Sequence, residues 1–226
     1  MKRCPFLKYL FFLLAIPLAV SLGALLFRGK MYVFVSVCVA VLACVPFFMS
    51  FEKGRSRTKN LVVLSTMVTL SIIGRFAFAF LPHFKPVTAI VVITGVYLGV
   101  ENGFLCGALS ALLSNFIFGQ GPWTPFQMFA WGLIGLLAAV LSKPLKKSRV
   151  ALSLYGAFSG VMYSLLLDVF ATLWHDGAFN PSRYLALTLS ALPVTAVYAA
   201  SNVIFLLLLA KPMGEKLNRI KIKYGL

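Results

Sequence analysis

The chain has 226 residues, 61% of them hydrophobic and 12% charged, with a mean hydropathy of +0.95, whereas a soluble domain is nearer half apolar and about a quarter charged. It belongs in a membrane, and because roughly 20 helical residues cross a bilayer core about 30 Å thick, some eight crossings leave no room for a separate catalytic domain. The net charge of +16 would suit nucleic acid if the basic residues lined one face; they sit instead in clusters between apolar runs, the pattern of membrane topology.

In chain order the apolar runs cover about 6–27, 31–50, 60–81, 86–118, 126–142, 150–174 and 184–210. The first follows Met1-Lys2-Arg3 and reads as a retained helix, since no small-residue cleavage site separates it from the next run. The run 86–118 would be about 50 Å long as one helix. Its middle holds Glu101-Asn102 between Gly99 and Gly103, residues costly at the centre of a bilayer and natural at a tight turn. Splitting it there predicts eight helices.

Charge parity supports the split. The cluster Lys53, Arg55, Arg57 and Lys59 and the cluster Lys143, Lys146, Lys147 and Arg149 both belong in the cytoplasm, so an even number of crossings must separate them. Two short helices satisfy this and one long helix does not. The inside then also collects Lys2, Arg3, Lys8, Lys211, Lys216, Arg219, Lys221 and Lys223, while the outside has only Arg28, Lys30, Lys85 and Arg183. Both termini are expected in the cytoplasm.

Polar residues within the spans gather at one depth. Arg75 lies about six residues from the outer end of its run, and Asp168 lies about as far from the outer end of the run 150–174. Arg75 either snorkels to the outer headgroups, pairs structurally with Asp168, or pairs with it and also contacts a ligand. Asn115 and Gln127 reach the same outer third; either they bond loop backbone or they join that site. The outer turn Phe118-Gly119-Gln120-Gly121-Pro122-Trp123-Thr124-Pro125 carries Gln120 and Trp123, with Trp131 following, and further outer loops hold His83, Lys85 and Trp174. Trp123 is either an interfacial anchor or one wall of an outward pocket for a flat, polar ligand. The candidate binding residues are therefore Arg75, Lys85, Asn115, Gln120, Trp123, Gln127, Trp131, Asp168 and Trp174.

Other features read as structural. Gly95, Gly99, Gly103 and Gly107 recur every four residues, and Gly156 and Gly160 repeat the spacing, allowing close helix approach. Pro193 should kink the last helix and Asn202 should bond a neighbouring helix. Cys4, Cys38, Cys44 and Cys106 lack ligand-like neighbours, so no metal or disulfide is expected. Intramembrane serine proteolysis fails because Ala157 stands where Ala157-Phe158-Ser159-Gly160 would need Gly, and His83 and His175 lie far from Ser159.

The segment Gly74-Arg75-x4-Phe80-x-Pro82-x3-Pro86, the four-spaced glycines, and Asn115-x3-Gly119-x-Gly121-Pro122-Trp123-Thr124-Pro125-Phe126-Gln127-Met128 resemble the substrate-binding S components of energy-coupling factor (ECF) vitamin transporters. The resemblance covers about residues 60–211. It implies an all-α, polytopic protein of the bacterial plasma membrane with a six-helix substrate-binding core at 60–211; the two additional helices and basic loop at 1–59, read from the apolar runs, depart from the family, and a basic tail follows at 212–226. It implies capture of a vitamin from outside under the loops 82–86, 119–125 and 175–183. It further implies a transmembrane coupling protein and two ATPase subunits as partners, with ATP used by those subunits and no cofactor bound by this chain. Where the family carries Ala-x-x-x-Ala on its first core helix, this chain has Ser65-x3-Thr69. Among S components the Trp-containing loop looks most like the cobalamin subgroup. The alternative function is a stand-alone secondary permease for a small organic solute, coupled through Asp168 or Glu101.

Overall fold

A computed structural model describes residues 57–176 and 179–224, together with the isolated positions Leu14, Leu18 and Leu22. The expected helices over 6–27 and 31–50, and with them Cys4, Cys38 and Cys44, lie outside the described residues. What is described is all-helical: α1 (Arg57–Ala77), α2 (Val87–Leu98), α3 (Val100–Phe118), α4 (Thr124–Val140), α5 (Ser142–Lys147), α6 (Arg149–Asp176), α7 (Pro181–Ser190) and α8 (Leu192–Tyr224). Helices α1, α3, α6 and α8 are long and apolar enough to cross a bilayer, and α2 and α4 are shorter apolar helices packed among them. The protein is a polytopic membrane protein.

The long run does break, two residues earlier than its polar pair suggests. Gly99 adopts φ +94°, a left-handed conformation that costs glycine little and other residues more. There the chain reverses, and a Cβ built on Gly103 would lie 2.7 Å from the Gly95 Cα. Two residues eight apart in one straight helix would stand about 12 Å apart, so α2 and α3 form a hairpin. Glu101 and Asn102 fall in the first turn of α3, where the Asn102 amide donates to the Leu98 carbonyl.

The glycine stripe then acts at the α2–α3–α4 junction. Cβ atoms on Gly95 and Gly103 would lie 2.1 and 2.5 Å from the Gly135 carbonyl oxygen, and one on Gly107 would lie 2.3 Å from the Trp131 backbone. Only glycine permits backbones this close. Gly99 is the exception in the stripe, serving as the turn. Helix α2 is apolar all round and buried from Val87 to Val96, as a helix at the centre of a bundle must be.

One end of the bundle is basic. Helix α8 runs unbroken to Tyr224, so the expected basic tail continues the last helix. Lys221 donates to the Tyr97 carbonyl at 3.0 Å, Lys146 lies over the Tyr97 ring, and Lys59 lies over the Tyr224 ring. Lys59, Lys146 and Lys221, from three of the groups assigned to the cytoplasm, are thus gathered at one end among the described residues, and the loops carrying Lys85, Gln120 and Arg183 lie at the other by alternation of the helices.

The last apolar run begins earlier than expected. Asn180 caps α7 by accepting from the Ser182 and Arg183 backbone N–H groups, with Pro181 at the first helical position, a strong start signal. The helix is interrupted at Ala191, two residues before Pro193, whose ring lacks the N–H a continuous helix needs.

Candidate ligand-binding site

Toward the end opposite the basic cluster, a cavity of about 190 Å³ opens among six elements. Its walls are Arg75 from α1, His83 and Lys85 from the loop that follows, Val87 and Thr88 from α2, Gln127 and Trp131 from α4, Gly160 and Tyr163 from α6, and Tyr198 and Asn202 from α8.

Arg75 organises the polar side. Its Nη1 donates to the Ser114 hydroxyl and, at 2.8 Å, to Asn115 Oδ1. A guanidinium only donates, so Asn115 must turn its oxygen to Arg75 and its NH2 elsewhere. That NH2 donates to Thr124 Oγ1 at 2.9 Å and Gln127 Oε1 at 2.8 Å, and the Gln127 NH2 donates in turn to the Tyr163 hydroxyl at 3.0 Å. The direction of every bond in this buried chain follows from the first. The Tyr163 hydroxyl accepts at its end, leaving its own proton to be donated.

Rings stand beside this chain. Trp131 and Tyr163 stack with centroids 5.0 Å apart and planes 19° from parallel, and Tyr198 meets Tyr163 edge-on at 5.2 Å. The Trp131 indole N–H donates to Thr88 Oγ1 at 3.2 Å, which sets the indole plane. The Arg75 guanidinium lies over Phe118 at 4.7 Å and over Trp131 at 5.5 Å, both within cation–π reach.

The outer loop is tied down by α8. Ser201 Oγ accepts from the Lys85 backbone N–H at 3.0 Å and donates to the Lys85 carbonyl at 3.2 Å. His83 has φ 62°, an uncommon conformation for a side-chain-bearing residue, and its ring nitrogen lies 3.0 Å from the Tyr198 hydroxyl. Burial, and second the nearby Arg75 charge, lower the Lys85 ammonium below the ordinary lysine range.

Of the nine residues expected at the site, Arg75, Lys85, Gln127 and Trp131 line the cavity, and Asn115 stands directly behind it as the link between Arg75 and Gln127. Gln120 is engaged by its own loop, donating to the Leu112 carbonyl and accepting from Thr124. Trp123 lies flat on Gly121, 40% exposed, and Trp174 stacks on Phe170, 46% exposed; neither lines the cavity. Nor does Asp168, and the expected Arg75–Asp168 pair is not formed. Asp168 accepts from Thr188 on α7 at 3.2 Å. Its position is five residues from Tyr163, about 140° round the helix at 3.6 residues per turn, and so it looks toward α7.

Sequence reasoning missed Thr88, Tyr163 and Tyr198 as wall residues, and took Asn202 only as an interhelical bond, which it also makes, to the Gly156 carbonyl at 3.2 Å. A signal for the tyrosines existed: a Tyr deep in an apolar run needs a partner for its hydroxyl.

A membrane bundle with a ring-walled, polar-backed cavity opposite its basic end is the architecture of a membrane solute-binding protein. Residues 55–219 match the family model described as ECF-type riboflavin transporter, S component. The match spans most of the chain, which belongs to that family; it is a transporter subunit and not an enzyme. Comparison with curated proteins and with solved structures returned no match.

Proposed function

We propose that this chain is the subunit of an ECF importer that captures a flat-ringed vitamin of riboflavin type from outside, in the cavity between α1, α4, α6 and α8. The observation that carries the reading is the Trp131–Tyr163 stack lying beside the directed chain from Arg75 to Tyr163, an aromatic plane with fixed hydrogen-bond groups at its edge. The cobalamin subgroup draws its support from the Trp123 loop alone. A cavity of about 190 Å³ lies below the range of about 300–1,000 Å³ usual for small-molecule sites, so it suits one ring system or one end of a ligand far better than a corrin macrocycle.

The coupling protein and two ATPase subunits supply the energy, with ATP bound and hydrolysed there and no cofactor on this chain. Ser65, Thr66 and Thr69 on α1 are exposed and line a shallow groove with Leu61, Val62 and Leu70; small residues on an outer helix face suit close approach by a coupling-protein helix.

Titration of the purified full-length protein with riboflavin, followed by flavin fluorescence, tests the ligand. Saturable quenching, weakened tenfold or more by Trp131→Ala, is expected; no quenching by the parent protein would remove riboflavin as ligand. Uptake into proteoliposomes should require the coupling module and ATP. Proton-driven uptake by this chain alone would favour the permease reading.

A further inference from the structure

Two cations line the cavity without an acidic partner. The Arg75 guanidinium and the Lys85 ammonium lie 4.7 and 5.2 Å from the centroid of the same ring, Phe118. Within 4.0 Å of either, no carboxylate is found among the described residues, whose ion pair is Arg183–Asp176. None of the lining residues is acidic, and Asp168 is held by Thr188 on the side facing α7.

Arg75 has donors to spare. Nη1 serves Ser114 and Asn115, while Nη2 and Nε find no acceptor among the described residues, although a guanidinium carries five N–H donors. Lys85 cannot move its backbone away, because Ser201 holds both its N–H and its carbonyl. Like charges held together in a half-buried place repel one another and lose hydration. A bound anion relieves both effects and accepts the unmatched N–H groups with charge-assisted geometry. The Tyr163 hydroxyl proton and the Asn202 side chain, which also line the cavity, add donor capacity.

We propose that the solute bound in this cavity carries an anionic group, a carboxylate or a phosphate, seated between Arg75 and Lys85 beside the Phe118 ring. The inference rests on the assignment of the cavity as the ligand site and goes beyond it, since riboflavin itself is neutral. A ring on the Trp131–Tyr163 side with an anionic substituent toward the outer loop satisfies both halves of the cavity.

The test uses the full-length protein in detergent and pairs of compounds that differ at one group: riboflavin and riboflavin 5′-phosphate, pyridoxal and pyridoxal 5′-phosphate, nicotinamide and nicotinate, pantothenol and pantothenate. Calorimetric titration should find one pair whose anionic member binds at least tenfold tighter than its neutral twin, with the difference collapsing in Lys85→Met. Comparison within a pair needs no variant, so it stands even if that variant misfolds. A neutral twin that binds as tightly as the anionic one, with both weakened by Trp131→Ala, overturns the anion and leaves the cavity in place. If no member of any pair binds, the cavity assignment falls and the anion with it. Native mass spectrometry distinguishes the remaining source of a phosphate: anionic lipid retained by the parent and lost from Lys85→Met, without discrimination in any pair, would assign the two cations to a lipid headgroup and overturn the solute anion.

Discussion

Asn115 sets the polarity of the site. It accepts from Arg75 and donates to Gln127 and Thr124, so Asn115→Leu leaves the buried Gln127 Oε1 unmatched, while Arg75 keeps Ser114 and Thr124 keeps Gly121 and Gln120. Such a group costs about 1–3 kcal/mol, and a lowered thermal midpoint in detergent is expected. Asn115→Asp does something different: it gives the guanidinium its counter-charge. Under the anion proposal, affinity for the anionic twin should then fall at least tenfold further than affinity for the neutral twin, which is affected only through the Gln127 amide that loses its donor, as read by titration. Asp168 supplies the control. Its carboxylate faces Thr188, so Asp168→Asn should leave ligand affinity within about twofold; a loss like that of Arg75→Gln would return Asp168 to the site. Lys85 adds a pH dependence. It binds an anion only when protonated, and burial with the Arg75 charge lowers its pKa. Affinity for the anionic twin should therefore weaken as pH rises toward the ordinary lysine value, and Lys85→Arg should hold affinity to higher pH because guanidinium stays charged.

Helices meet here through backbone. The Gly135 site places a new Cβ 2.2 Å from the Gly103 carbonyl oxygen, and backbone cannot step aside as a flexible side chain does. Gly135→Ala should cost at least the about 1–3 kcal/mol of overpacking, seen as reduced yield of monodisperse protein and a lower thermal midpoint. Gly99 offers the contrast. A side chain there meets nothing within 4 Å, and the cost of Gly99→Ala comes from the backbone alone, φ +94° and ψ −179°, a region held almost only by glycine, at about 1–3 kcal/mol. The two should differ in kind: Gly135→Ala pushes helices apart and should lower the yield of monodisperse protein, whereas Gly99→Ala strains one turn and should show only in the melt. The stripe Gly95, Gly99, Gly103 and Gly107 was legible in the sequence, four residues apart, whereas their partner Gly135 was not. Which of them served contact and which served the turn was not, because spacing places residues on a face without saying where the chain reverses.

Across the whole molecule, charge decides orientation. Cysteines introduced at His83 and Arg183 should react with an impermeant thiol reagent applied from outside, and cysteines at Lys146 and Lys216 only after permeabilisation. External reaction at position 146 would invert the assignment of sides and close the cavity to the medium. That assignment came from counting Lys and Arg between apolar runs, and the gathering of Lys59, Lys146 and Lys221 at one end agrees with it.

Composition, charge parity and glycine spacing by themselves determined a helical membrane protein, the break in the run 86–118, the basic residues of one end and the depth at which polar residues collect toward the other. Only the tertiary structure decided that Tyr163, Tyr198 and Thr88 share a wall with Arg75 and Trp131, while Asp168, Trp123 and Trp174 do not. The reason lies in helix geometry. An error of two residues in where a helix starts moves a side chain about 3 Å in depth, but an uncertainty of two residues in facing turns it about 200° about the axis. Depth thus survives a rough reading of the sequence, whereas direction depends on which helices pack against which, and that is settled by close contacts such as those of Gly95, Gly103 and Gly135.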